Sequence, residues 1–413
     1  TSEAKAKSDF SAIRLASVNG ETSAVIEMTT VLGRPALPLN VKPSLVAQQT
    51  PIRSSPGFNG VQLPLLTKIM PTAMTFLNDG TLAFTSLEGH VYLARDTDGD
   101  GVEDSLTMFE EGLAAPYGII VDGDSLIVAH KPELLRLRDT DGDGRADERS
   151  VFATGWGYND NYHDWTCGII RDSKGFYYVG LGSDYAQKDR PESTSYLRGK
   201  VLRISPDGKT LHPFAHAFRY PTGLAIDSND RIFSTDNQGV QNTFNEINHL
   251  RDGTHYGVPK RHEEKLDVNA SPPMIQVPHP WTRSVNGISI LPESFPHKAF
   301  AGHGVGAEYE HKQLVRFTYH EVDGVLQGAT YYLTLPDFAA ANANFLGPLS
   351  ISVSPRGELY VGSIHDSGWL GGLNTGSIVK LTPTKNLPLG VKEITATSDE
   401  FRIDFTHAVM TNE

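Results

Sequence analysis

The stretch RDTDGDGVEDS at residues 95–105 returns as RDTDGDGRADERS at residues 138–150, 43 residues later. Each copy closes a longer unit: an apolar run, a tight Asp/Gly turn, a second apolar run, then an alternating segment leading into the acidic loop. A further β-type run follows, LTMFEEG in one unit and RSVFATG in the other. Four short strands in a period of roughly 40–45 residues are the mark of a propeller blade. Weaker copies follow at DWTCGIIRDSKGFYYVGLGSD, RYPTGLAIDSNDRIFSTDNQG, VNGISILPESFPHKAFAGHG and PLSISVSPRGELYVGSIHDS. The region lacks sustained helical periodicity. An open array of β-sandwiches would not repeat one four-strand unit so regularly. The expected fold is therefore all-β, a six-bladed β-propeller over residues 61–385. Residues 1–60, rich in Ser, Ala, Pro and Thr, read as an N-terminal arm. Residues 386–413 alternate like strands and read as the start of a C-terminal β-module.

The doubled loop carries a DxDxDGxxD pattern. Asp96, Asp98, Asp100 and Asp104 fall at positions 1, 3, 5 and 9 of a calcium loop, and Asp139, Asp141, Asp143 and Asp147 do the same. Gly101 and Gly144 take the sharp turn at position 6, and Val102 and Arg145 would offer backbone carbonyls at position 7. Hard oxygen ligands at this spacing suit calcium, and without a cation the like charges repel. Thr107 and Ser150 replace the glutamate at position 12 of a helical hand, and the flanks read as strands. Two structural calcium sites in hairpin loops are expected.

The chain has 413 residues and a formal charge of −13, which argues against nucleic acid as a partner. No apolar run approaches a membrane span. A single cysteine, Cys167, excludes an internal disulfide and reads as a small buried strand residue. The absence of paired thiols, and the millimolar range in which extracellular modules bind calcium, point to a secreted or periplasmic home. The first residue is Thr1 and the last segment, FTHAVMTNE, has no closing signal, so a processed or fragmentary chain is expected.

Propeller sites lie at one end of the central channel, where the innermost strands begin. The loops there include GYNDNYHDWTCG, AFRYPTG, RSVNG and ANFLGPL. The first offers Asp160, His163 and Asp164. A histidine beside a carboxylate can serve as a general base near neutral pH. The second offers Arg219, a fixed fork for a carboxylate, and Tyr220.

These residues resemble the six-bladed quinoprotein sugar dehydrogenases, the glucose and sorbosone dehydrogenase group that uses pyrroloquinoline quinone (PQQ). NYHDWTCGIIRDSKGFYYVGLGSD places His163 at the family's catalytic histidine. FRYPTGLAIDSNDRIFSTDNQG places Arg219 at its cofactor-binding arginine. NEINHLRDGTHYGVPKRHE is similar to the family segment beside the cofactor's calcium, which puts Gly239, Val240 and Tyr256 near the cofactor. The doubled acidic loops resemble a branch of large propeller proteins labelled membrane-bound dehydrogenases. The resemblance implies PQQ with calcium, His163 taking a proton from a sugar hydroxyl, Arg219 polarising the quinone, and Asp164 or Asp160 orienting the histidine. It also implies a redox partner, either a domain or a cytochrome. The sequence departs from the family in that Tyr220 stands for its Asn and Thr222 for its Gln. NFLGPLSIS replaces its two arginines before the last blade, and Lys312 or His311 falls at a cofactor lysine.

Three functions follow from these residues. The first is an extracytoplasmic quinoprotein-like oxidoreductase acting on a sugar or sugar-like alcohol. The second is a cofactor-free carbohydrate-active enzyme, a polysaccharide lyase or hydrolase, with Tyr220 or Tyr162 as acid and Arg219 clamping a uronic carboxylate. The third is a calcium-stiffened propeller that binds carbohydrate or protein.

Overall fold

Each repeat unit forms a sheet of four antiparallel strands, in meander order from the channel outward. The computed structural model describes residues 57–184, 187, 190–237, 244–258, 269–334, 345–368, 371–397 and 399–409. The innermost strands are Pro71–Phe76, Gly118–Asp122, Thr166–Arg171, Leu224–Ile226, Val285–Ile290 and Pro348–Val353. Each touches the next, and the last touches the first, so the six sheets close into a ring. The expected propeller is the observed one. A short strand, Thr254–His255, adds a parallel fifth member to the third sheet.

The ring is closed by exchange. The fourth strand of the sixth blade is Phe58–Gln62, antiparallel to Thr375–Pro383, with Val61 opposite Lys380. The boundary expected at residue 61 thus falls inside a strand, and the rest of the expected arm lies outside the described residues. At the other end, Val391–Ala396 and Phe401–Phe405 pair as a hairpin. Arg316 of the fifth blade holds it, donating from Nη1 to Lys392 O at 2.6 Å and from Nη2 to Val391 O at 2.8 Å.

Burial explains the pattern of each unit. The second strands (Leu82–Ser86, Tyr177–Leu181, Ile232–Asp236) are buried on both faces, so they do not alternate apolar with polar. Apolar side chains gather at the seams between blades. Leu93 and Phe109 of blade one meet Leu135 and Leu137 of blade two, and Phe233 of blade four meets Phe317 of blade five. Glycines in or just before the innermost strands let neighbouring backbones approach. A Cβ on Gly118 would lie 2.4 Å from Gly168 O, and one on Gly223 would lie 2.0 Å from Asn286 O. That is the physical content of the recurring YGII, TGLA and NGIS starts.

The meander also sorts the loops. Connections into innermost strands and between second and third strands share one end of the ring. Connections between third and fourth strands, which include both acidic loops, lie at the opposite end.

Candidate functional site

The loop before the third innermost strand is set by asparagine turns. Asn159 Oδ1 accepts from Asn161 N and Asn161 Oδ1 from His163 N, both at 2.9 Å. A buried ion cluster anchors it. Asp164, fully buried, accepts from Arg190 Nη1 at 2.5 Å and from Asn159 N at 2.7 Å, and lies 3.4 Å from Arg198 Nη2. Arg198 is fixed in turn by Gly182 O and Trp165 O, at 2.7 and 2.8 Å. Burial lowers its guanidinium to about 10. Asp164 therefore spends both oxygens on this scaffold rather than on the imidazole, and Asp160 is exposed.

His163 projects the other way, into a cavity of ≈ 260 Å³ at the channel mouth. Tyr162 and Trp165 stand edge-on to its ring at centroid distances of 4.7 and 5.2 Å, and Tyr220 lies at 5.6 Å. Burial pushes the imidazole below its ordinary range. The charge of Asp366 draws it back up, and Arg219 and Lys131 push it down. The neutral ring this favours can accept a proton.

Arg219 and Tyr220 reach the same cavity from blade four. Their backbone is clamped by Asp236, a fully buried carboxylate at the end of a second strand. It accepts from Arg219 N at 2.8 Å and from Tyr220 N at 2.6 Å. Burial drives the Asp236 carboxyl well above its usual range. Blade five repeats the device. Glu308 Oε1 accepts from Arg283 N and Ser284 N, each at 2.8 Å, and Arg283 lines the cavity with its ion-pair partner Glu310, 3.3 Å away.

Blade six supplies a carboxylate. Asp366, 3% exposed, also lines the cavity, where it accepts from the phenols of Tyr162 and Tyr309, the latter at 3.0 Å.

The remaining expected residues lie elsewhere. Tyr256 is buried, stacked on Phe218 at 4.8 Å with its hydroxyl donated to His249 O at 2.6 Å, away from the cavity. Lys312 occupies the tight turn after Gly304–Glu308 with φ 56° and does not line the cavity. Gly239 and Val240 lie outside the described residues. Cys167 is buried, its thiol pushed up to about 12 by burial, which suits packing rather than nucleophilic chemistry.

The acidic loops share most of their hydrogen bonds. Asp96 accepts from Gly99 N and Gly101 N at 2.7 and 2.9 Å, and Asp139 accepts from Gly142 N and Gly144 N at 2.7 and 2.8 Å. Val102 N donates to Asp100 and Arg145 N to Asp143, both at 2.8 Å. Carboxylate oxygens of Asp96, Asp98 and Asp100 lie within 4.8 Å of one another, as do those of Asp139, Asp141 and Asp147. Asp104, expected as a ligand, accepts from Thr97 N at 2.9 Å, as Asp147 does from Thr140 N at 3.2 Å.

The fold is that of a class: a six-bladed propeller with the architecture of the PQQ-dependent glucose and sorbosone dehydrogenases. The chain belongs to the family described as "Domain of unknown function (DUF7133)", whose model matches residues 71–367. No curated protein matches it. Among solved structures it is similar to the soluble aldose sugar dehydrogenase of Escherichia coli in the apo form, at 14% identity and TM-score 0.59, covering 79% of this chain and 100% of that one. The PQQ-bound aldose sugar dehydrogenase of Streptomyces coelicolor aligns at 15% identity and TM-score 0.57, over 82% and 98%. The PQQ domain of Coprinopsis cinerea pyranose dehydrogenase, in its holo form, aligns at 15% identity and TM-score 0.62, over 82% and 99%. Among the described residues no helix is long and apolar enough to cross a membrane.

Proposed function

We propose that the protein is an extracytoplasmic oxidoreductase that oxidises a sugar or sugar-like alcohol, with His163 as general base. One observation carries the reading: a single cavity at the channel mouth gathers a neutral-leaning histidine with two arginines, Arg219 and Arg283.

The cavity fits a planar, carboxylate-bearing quinone on one side. Arg219, Arg283, Asn237 and Asn286 would hold carboxylates against blades four and five, while Tyr220 and Trp165 offer aromatic faces. On the other side Asp366 repels a carboxylate, which leaves that wall for the neutral substrate. PQQ, when bound, supplies a two-electron acceptor for the hydride of an alcohol. His163 removes the hydroxyl proton, Arg219 supplies positive charge, and the aromatic rings exclude water. Arg283, ion-paired with Glu310 at 3.3 Å, adds a guanidinium fork to a cradle from which the sequence lacks two family arginines. Calcium at the two acidic loops, at the far end of the ring, has a structural part in this reading.

Calorimetric titration with PQQ in calcium-containing buffer tests it. Micromolar or tighter binding, weakened at least tenfold by Arg219→Ala, is expected. Absence of binding heat in the wild type would remove the quinone from the account and direct the search to cofactor-free carbohydrate chemistry.

A further inference from the structure

His163 stands on the third blade and Asp366 on the sixth, opposite each other in a ring of six. Tyr162 spans the gap. Its ring packs edge-on against His163 at 4.7 Å, and its hydroxyl donates to one oxygen of Asp366. Tyr309, from blade five, donates to the other at 3.0 Å. The strut has room because residue 368 is glycine: a Cβ there would lie 2.6 Å from the Tyr162 ring. Two phenols fix the Asp366 rotamer, and Asp164, the neighbour in sequence, is committed to arginines. We propose that Asp366 is the positioning carboxylate of His163, holding it across the channel mouth through Tyr162. The proposal rests on the reading of His163 as the base. The negative charge stabilises the imidazolium formed when His163 takes a proton, and the strut limits the tilt of the ring.

The groups facing the imidazole are Asp366 from blade six, Arg219 from blade four, Lys131 from blade two, and the rings of Tyr162, Trp165 and Tyr220. Arg283 and Glu310 share the cavity as an ion pair. Asp366 is thus the carboxylate that raises the His163 proton affinity against Arg219 and Lys131.

The test is an NMR titration of the His163 ring, assigned with His163→Gln, on the full chain without cofactor or substrate. Its outcome is therefore independent of whether a quinone binds. Asp366→Asn is expected to lower the His163 midpoint, by up to about one pH unit, the lower end of what an opposing charge contributes at about 4–6 Å. Asp366→Glu, which disturbs the phenol bonds as much but keeps the charge, is expected to hold the midpoint nearer wild type. Equal shifts in the two variants, or no shift in Asp366→Asn, would overturn the proposal. Should Asp366→Asn not fold, Tyr162→Phe decides: relieving the carboxylate of one donor should raise the midpoint, and an unchanged or lowered midpoint counts against the strut.

Discussion

Lys380 donates its ammonium proton to the carbonyl oxygen of Gly101 at 2.5 Å, joining the last blade to the acidic loop of the first. Tyr360 adds a bond to Glu103 Oε1 at 2.6 Å across the same seam. The second acidic loop is tied back likewise, with Ala146 N donating to Phe109 O of blade one at 2.9 Å. Each loop therefore clasps its own blade to the preceding one, and the first clasps the seam where the ring closes.

Calcium should accordingly stabilise the fold. A ligand that binds only the native state at 100 times its dissociation constant adds about 2.7 kcal/mol per site. Differential scanning calorimetry in calcium and in chelator should separate the melting temperatures, and Asp98→Asn with Asp141→Asn should erase the difference. Identical melting in both buffers would rule out the metal.

His163→Gln should abolish turnover, by about 10²–10⁴-fold for a general base, while leaving the melting temperature near wild type, since the ring lies on a cavity wall. Dye-coupled oxidation of a panel of sugars, with thermal melts in parallel, checks both halves.

Asp164→Asn should behave in the opposite sense. It leaves Arg190 and Arg198 buried against a neutral group, at a cost of about 3–5 kcal/mol for a broken buried pair. Urea unfolding should show this loss. A fully stable variant with lost activity would instead return Asp164 to the chemistry.

Stability should fall on acidification below about pH 6.5. His303 Nδ1 accepts from Arg316 Nη1 at 2.8 Å and His130 Nδ1 from Ala114 N at 3.2 Å, so both rings must be neutral there. Burial, then neighbouring cations, lowers them to about 3 and about 4. Between the ordinary histidine value and those figures the unfolded chain binds protons that the native chain does not, so stability declines as pH falls through that window. His303→Gln should flatten the dependence of urea midpoint on pH between 6.5 and 4. An unaltered slope would refute the assignment.

The blade repeat was legible because its signals are local: a glycine where innermost backbones meet, a doubly buried second strand, an acidic turn. Histidine and arginine at the mouth were visible through loop position. Arg283 has a weaker signal: like Arg219 it stands four residues before a glycine in or just before an innermost strand, at Arg219–Gly223 and Arg283–Gly287, but the same R-x-x-x-G spacing also occurs at Arg53–Gly57 and Arg171–Gly175. Reading the blades against one another would have paired them. Asp366 had no such signal, since it comes within reach of His163 only when blade six returns to the first. The ion pairing of Asp164 had no signal either, because its arginine partners come from positions 190 and 198, after an intervening strand pair.

The exchanged strand Phe58–Gln62 has a consequence in time rather than space. Gln62 pairs with Val379, some three hundred residues later, so the ring can be sealed only after the sixth blade exists. Five blades must persist as an open arc with an unpaired edge while the chain is completed, and contacts so distant in sequence form slowly. Removing residues 58–62 should leave that arc unsealed, and the loss should register first as slow refolding and aggregation through the bare edge of Thr375–Pro383.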